Sequence, residues 1–197
     1  MRIIAGEFRG RNIHTVSGPG YRPATSKVRQ AIFSMLESRG VQWSGTRVLD
    51  LFAGSGSLGL EALSRGAEEV WFVEKSRRAV ESLRRTLSDL KVRQNRFRVA
   101  AQDLFTLLRH PAHDPFHVVF IDPPYGKDLL LPALKLALAG SWIGSETLVL
   151  AETEADLVLD PQAVPKLELL VNRTYGQTRI YLWRPGNQLS IREPSTP

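Results

Sequence analysis

Residues 47–59 run Arg47-Val-Leu-Asp50-Leu-Phe52-Ala53-Gly54-Ser55-Gly56-Ser57-Leu-Gly59. A run of strand character stops at a glycine-rich turn, and Ser57 to Ser64 beyond it carry the spacing of an amphipathic helix. Gly54, Gly56 and Gly59 fall at the G-x-G-x-x-G intervals of a nucleotide-binding turn, where small residues let the backbone fold tightly and admit a ligand. Glu74, twenty residues after Gly54, closes the next apolar run and can accept hydrogen bonds from two ribose hydroxyls.

The same alternation extends outward. Arg47 to Phe52, Val70 to Glu74, Phe97 to Ala100, His117 to Asp122 and Thr147 to Glu152 read as strands, with helices at Ser57 to Ser64, Ser76 to Leu90, Leu104 to Arg109 and Leu129 to Ala139. This βαβα order predicts an α/β fold with a parallel sheet covered on both faces. Leu167 to Tyr175 and Thr178 to Trp183, around Gly176-Gln177, read as an antiparallel hairpin that closes the sheet. Residues 1–14 read as a short hairpin and Val16 to Tyr21 as a loop. A helix follows with Thr25 or Ser26 as N-cap and an apolar stripe of Val28, Ile32, Met35 and Leu36. The expected division is a basic hairpin and helix extension over 1–45, an α/β domain over 46–184, and a disordered tail over 185–197.

Asp50 stands four residues before the first glycine. A carboxylate there repels a pyrophosphate and favours an ammonium or sulfonium group, so S-adenosylmethionine suits the turn better than NAD; the same residue could simply cap the turn. Asp122-Pro123-Pro124-Tyr125 ends the fourth strand, where open α/β sheets bind ligands. Consecutive prolines donate no backbone hydrogen bond and hold an extended turn, leaving their carbonyls free to accept. An exocyclic amine set against the Asp122 carboxylate and the Pro123 carbonyl would donate both its N–H groups to them as hydrogen bonds, leaving its lone pair to localise toward an incoming methyl. Tyr125 offers a flat face to a base.

The formal charge of +6 is unevenly spread. Residues 1–47 carry +6, 48–74 carry −4, 75–98 carry +7 and 99–197 carry −3. Two basic blocks suit a polyanion. Arg2, Arg9, Arg11, Arg22, Lys27 and Arg29 are the first candidates for phosphate contacts, with Arg77, Arg78, Arg84 and Arg85 second. Cysteine is absent, which excludes disulfides, thiolate metal sites, zinc-deaminase chemistry and a covalent base adduct through a thiol. The start lacks the apolar region of a signal peptide, and a cytoplasmic chain with no membrane contact is expected. His14, His110, His113 and His117 show no metal-ligand spacing, so no metal is expected. Trp43, Trp71, Trp142 and Trp183 read as packing residues, and Glu146, Glu152 and Glu154 as solvated.

The pairing of VLDLFAGSGSLG with DPPY resembles the S-adenosylmethionine-dependent amino methyltransferases. With RIIAGEFRGRNI, RPATSKVRQAIFS, FAGSGSLGLEALSRGA and IDPPYGK in that order, residues 1 to about 184 resemble the bacterial 16S ribosomal RNA guanine-N2 methyltransferase family. The resemblance implies a class I methyltransferase fold, Rossmann-like, with seven strands of which the last is antiparallel. It places Asp50, Gly54 and Gly56 at the methionine end of the cofactor, with Phe52, Ala53 and Ser55 in the same turn. Glu74 then lies at the ribose and Asp103 at the adenine amino group, with Lys75 and Leu104 as further cofactor contacts, and Asp122 to Tyr125 at the target amine. Asp103 can equally cap the helix that follows it. The chain departs from the family at Ala24, Ser26 and Gln30, where threonine, aspartate and glutamate are usual, which argues against a catalytic role for this helix start. The implied partner is 16S ribosomal RNA or the assembling small subunit, and a monomer is expected. Alternatives are a DNA adenine or cytosine methyltransferase, a protein-glutamine methyltransferase, an NAD-dependent oxidoreductase, and a non-catalytic RNA-binding assembly factor. The first two share DPPY; Asp50 argues against the third and the intact Asp122 to Tyr125 against the fourth.

Overall fold

The apolar runs become seven strands of one sheet. The computed structural model describes residues 1–16 and 25–186. The helices are α1 (Ser26–Glu37), α2 (Ser57–Arg65), α3 (Arg77–Asp89), α4 (Leu104–Leu108) and α5 (Leu130–Ala139). The strands are β1 (Arg47–Leu51), β2 (Glu69–Val73), β3 (Phe97–Ala100), β4 (Phe116–Ile121), β5 (Ile143–Glu154), β6 (Leu167–Tyr175) and β7 (Thr178–Pro185). Their order is β3-β2-β1-β4-β5-β7-β6, with β7 antiparallel to both its neighbours and the other pairs parallel. Helices lie on both faces. Phe33, Leu36, Leu60, Leu63 and Leu83 cover the sheet residues Phe72 and Phe120 on one side, while Leu104, Leu107, Leu134 and Trp142 pack with Leu49, Phe116 and Val119 on the other. The central strands are apolar on both sides because both sides are covered, which explains their near-continuous hydrophobic runs.

Most boundaries fall within two residues of the sequence expectation. The exception is β5, which starts at Ile143 rather than Thr147 because Thr147 Oγ1 accepts from Gly144 N (2.8 Å) and donates to Phe116 O (2.6 Å). That bridge ties a polar stretch to β4 at a register shift between Phe116 and Val118. The expected loop over Val16 to Tyr21 lies outside the described residues from 17 onward, and α1 is capped by Thr25, whose side chain accepts from Val28 N.

The expected N-terminal hairpin is present and short: Arg2 and Asn12 form an antiparallel bridge, with Ile3 N donating to Arg11 O (3.0 Å), Ile13 N to Met1 O (2.8 Å) and Gly10 N to Ile3 O (2.9 Å). The backbone between its two arms docks on α2. Ile4 N and Ala5 N donate to Glu61 (2.8 and 3.0 Å), Phe8 N to Ser64 Oγ (2.9 Å) and Glu7 N to Ser64 O (2.7 Å). Ile3, Phe8 and Ile13 enter the same core as α1 and α2. The supposed tail lies outside the described residues from 187 onward, and β7 runs through Pro185.

Gly6 makes this docking possible, since φ is +81° and a Cβ would sit 1.8 Å from the Ser64 carbonyl oxygen. Gly6→Ala is expected to destabilise the protein by about 2 kcal/mol or more, combining left-handed backbone strain with a clash that cannot relax into a side chain. Thermal unfolding measures it, and limited proteolysis should cut first within residues 1–16.

Candidate active site

The strand order sets where a ligand can enter. The chain leaves β1 toward β2 and β3 and later returns on the other side of β1 as β4, so the connections diverge above the β1 and β4 ends. Such a reversal opens a crevice at the carboxyl ends of the strands. A cavity of about 680 Å³ occupies it. Of the expected cofactor residues, Phe52, Ala53, Gly54, Ser55, Glu74, Lys75, Asp103 and Leu104 line this cavity, joined by Asp122, Pro123, Pro124 and Tyr125. Gln102 and Phe105, which the motifs did not single out, complete the wall near Asp103.

The glycine turn is held from two sides. Glu74 accepts from Gly54 N through one carboxylate oxygen (2.8 Å) and from Ser76 N through the other (2.7 Å). Each oxygen keeps a lone pair for a ligand hydroxyl. Phe52 adopts a positive φ of 60°, an uncommon conformation for a bulky residue, to carry the chain from β1 into this turn. Gly56 (φ +76°) lies behind the wall, where a Cβ would meet Leu83 Cδ1 at 2.5 Å.

Asp50 departs from its expected place. It is 2% exposed and does not line the cavity; its Oδ2 accepts from Gly59 N at 2.9 Å, fastening the first turn of α2. Burial, opposed by the Gly59 N–H and aided by the Glu74 charge, pushes its carboxyl up to about 7. Asp103 caps its helix and also lines the cavity. It caps α4 by accepting from Phe105 N (2.8 Å), while its other oxygen meets Lys75 Nζ at 3.2 Å on the cavity wall. Burial would raise its carboxyl, but the Phe105 N–H and the Lys75 ammonium outweigh this and hold it below its ordinary value.

Asp122 follows the last residue of β4 and is partly exposed at the cavity. Burial of its carboxylate, then the charges of Glu152 and Asp50, hold it well above the ordinary carboxylate range. Tyr125 is half-buried and its hydroxyl meets Thr178 Oγ1 (3.1 Å), which in turn donates to Glu152 Oε1 (3.4 Å). Gly126 N donates to Glu154 Oε1 (3.0 Å). Glu152 is 1% exposed, which corrects its reading as solvated. The signal was its position two residues after Leu150, on the face that packs against α1 and α2.

The basic candidates divide. Arg2, Arg9, Arg11 and Lys27 are exposed, as are Arg77, Arg78, Arg84 and Arg85, with Arg11 donating to Asp89 O (2.8 Å). Arg22 and Ala24 lie outside the described residues. Arg29 cannot serve as a surface phosphate contact. It is fully buried because it shares the i, i+3, i+4, i+7 stripe of Ile32, Phe33 and Leu36, which faces the sheet.

A mixed sheet of this order with a cavity at its switch point defines a class I S-adenosylmethionine-dependent methyltransferase fold. The magnesium protoporphyrin IX methyltransferase of Synechocystis, solved with its cofactor, shares that fold at TM-score 0.63 and 12% identity, over 81% of this chain and 79% of that one. The chain belongs to the family of the ribosomal RNA small subunit methyltransferases D: the family model described as conserved hypothetical protein 95 matches residues 1–184, and the Haemophilus influenzae enzyme of that name is 38% identical over 157 residues, 79% of this chain and 80% of the relative. The Escherichia coli enzyme is 36% identical over 79% of this chain and 76% of its own length. The solved Escherichia coli protein YhhF superposes with TM-score 0.80 at 32% identity, covering 94% of this chain and 97% of that one.

Asp50 has a measurable pH signature. Its folded value near 7 lies above the unfolded value of 3.8, so its contribution to stability is full below about pH 4 and is lost as pH rises through 7. Asp50→Asn keeps an acceptor for Gly59 N and removes this dependence. Between pH 5 and 8 the wild-type protein should lose on the order of 2 kcal/mol more unfolding free energy than the variant, read from urea midpoints.

Proposed function

We propose that this chain transfers a methyl group from S-adenosylmethionine to the exocyclic N2 of a guanine in 16S ribosomal RNA, free or in the assembling small subunit. The observation that carries this reading is the placement of Asp122, Pro123, Pro124 and Tyr125 on the same cavity wall as Gly54, Glu74 and Asp103. The donor set fits the cofactor. Glu74 has lone pairs for the ribose hydroxyls, Asp103 an acceptor for the adenine amine, and Leu104 and Phe105 an apolar bed for the ring. S-adenosylmethionine supplies an electrophilic methyl on a sulfonium.

The chain's residues do the rest by positioning and polarisation. The Asp122 carboxylate and Pro123 carbonyl accept hydrogen bonds from the two amine N–H groups and aim the nitrogen lone pair into the cavity. Tyr125, braced through Thr178, offers its ring to the base, which must leave its stack to arrive there. Guanine N2 suits these acceptors because it is a two-proton donor beside a second donor, N1–H. The exposed Arg2, Arg9, Arg11 and Lys27 would hold phosphates, which position the RNA without selecting the nucleotide.

Asp122→Ala should lower single-turnover methyl transfer by at least about a hundredfold while calorimetry shows cofactor binding retained; an active variant sinks the mechanism. Mass spectrometry of digested RNA tests the product, and methylation at a ring nitrogen or a ribose would overturn the N2 assignment. Arg9→Glu with Arg11→Glu should weaken RNA binding and flatten its dependence on salt. An unchanged salt slope would remove these residues from the interface.

A further inference from the structure

Glu152 occupies a place that the reading above does not use. It stands on β5 beside Asp122, one step beyond the paired residues Ile121 and Ala151 of adjacent parallel strands. Its Oε1 accepts from Thr178, which holds the Tyr125 hydroxyl, while its Oε2 is buried without a hydrogen-bond partner among the described residues. A carboxylate left so poorly satisfied in the interior is costly unless a charge answers it. The answering charge is Arg29 on α1, whose buried guanidinium is acted on by Glu61 and Glu152. That guanidinium also donates to the Arg2 carbonyl (2.7 Å) and to Met1 Sδ.

We propose that Glu152 is a positioning residue for methyl transfer: with Arg29 as its countercharge, it stands behind Asp122 and Tyr125 and prepares Asp122 to take the proton that the methylated amine releases. This rests on Asp122 lying at the target amine. In the step, the nitrogen–methyl bond forms as the sulfonium–methyl bond breaks and the sulfur leaves as a neutral thioether. The nitrogen, now carrying one hydrogen too many, loses a proton to the Asp122 carboxylate, which passes it to solvent through the cavity. A carboxylate of ordinary acidity is a weak base at neutral pH, and a base works best when its proton affinity matches the operating pH.

The groups that bear on Asp122 are Asp50 from β1 and Glu152 from β5, with Arg29 from α1 acting on Glu152; Tyr125 and Glu154 complete the surroundings. Burial pushes Glu152 up to about 7, while the Thr178 hydroxyl and Arg29 pull the other way. The neighbouring Glu152 charge adds to the burial that raises Asp122.

The test is the pH profile of single-turnover methyl transfer to small-subunit ribosomal RNA for the wild-type protein and for Glu152→Gln, Glu152→Asp and Asp122→Asn. Cofactor affinity and thermal midpoint verify that each variant is folded. Glu152→Gln should move the acid limb to lower pH by about one unit and lower the plateau severalfold, and Glu152→Asp should restore the limb. A Glu152→Gln limb that coincides with the wild type, whatever its plateau, overturns the proposal, as does failure of Glu152→Asp to restore it. Asp122→Asn separates the two ideas. If it remains active, the placement of Asp122 at the amine fails; if it is inactive while the Glu152→Gln limb stays put, only the role of Glu152 fails.

Discussion

The site depends on one constraint of the sheet, the position of β1 between β2 and β4. Its flanking connections leave in opposite directions, so no helix can cover the carboxyl ends of β1 and β4 and a crevice remains there. The same placement buries β1 on both faces, which leaves polar residues only at the strand ends. Asp50, Glu74 and Asp122 all occupy such ends. The turn after β1 must then reverse quickly enough to start α2 without filling the crevice, and this is what the glycines and the positive φ of Phe52 accomplish.

That geometry explains how much was legible in the sequence. Central strands covered on both sides must be apolar throughout, so β1, β2 and β4 announced themselves, and a glycine turn followed by an amphipathic run placed α2. Residues whose role is set by distant neighbours were harder. Glu152 and Glu154 are two apart on one strand and read alike, yet only the register with β4 and β7 puts one of them in the interior. The stripe expected on α1, Val28, Ile32, Met35 and Leu36, is buried, but Arg29 shares that buried face with Phe33, and a charged side chain at such a position reads as surface. The N-terminal hairpin formed as expected, but its docking was not legible: the backbone groups between its arms are met by Glu61 and Ser64, both on α2 and more than fifty residues away.

Three carboxylates near one crevice are in electrostatic tension, and the fold relieves each by a different donor. Asp50 has the Gly59 N–H, Glu152 has Thr178 and the Arg29 charge, and Asp122 has the cavity, where water or an amine can reach it. Raised proton affinity concentrated in one cleft is the expected mark of a functional site. A protein selected for stability alone would have filled these positions with apolar side chains, which replace buried ions at little or no cost.

The basic N-terminal block also divides by depth. A formal charge of +6 over residues 1–47 suggests a uniform polyanion-binding arm. Arg29 does not belong to that surface, because the helix stripe that buries it is the one that packs α1 on the sheet. It instead links the backbone of Arg2 to the charge of Glu152, while the neighbouring side chains of Arg2 and Lys27 remain exposed. One short segment therefore presents charge outward and anchors itself inward, at Glu61 and through Arg29.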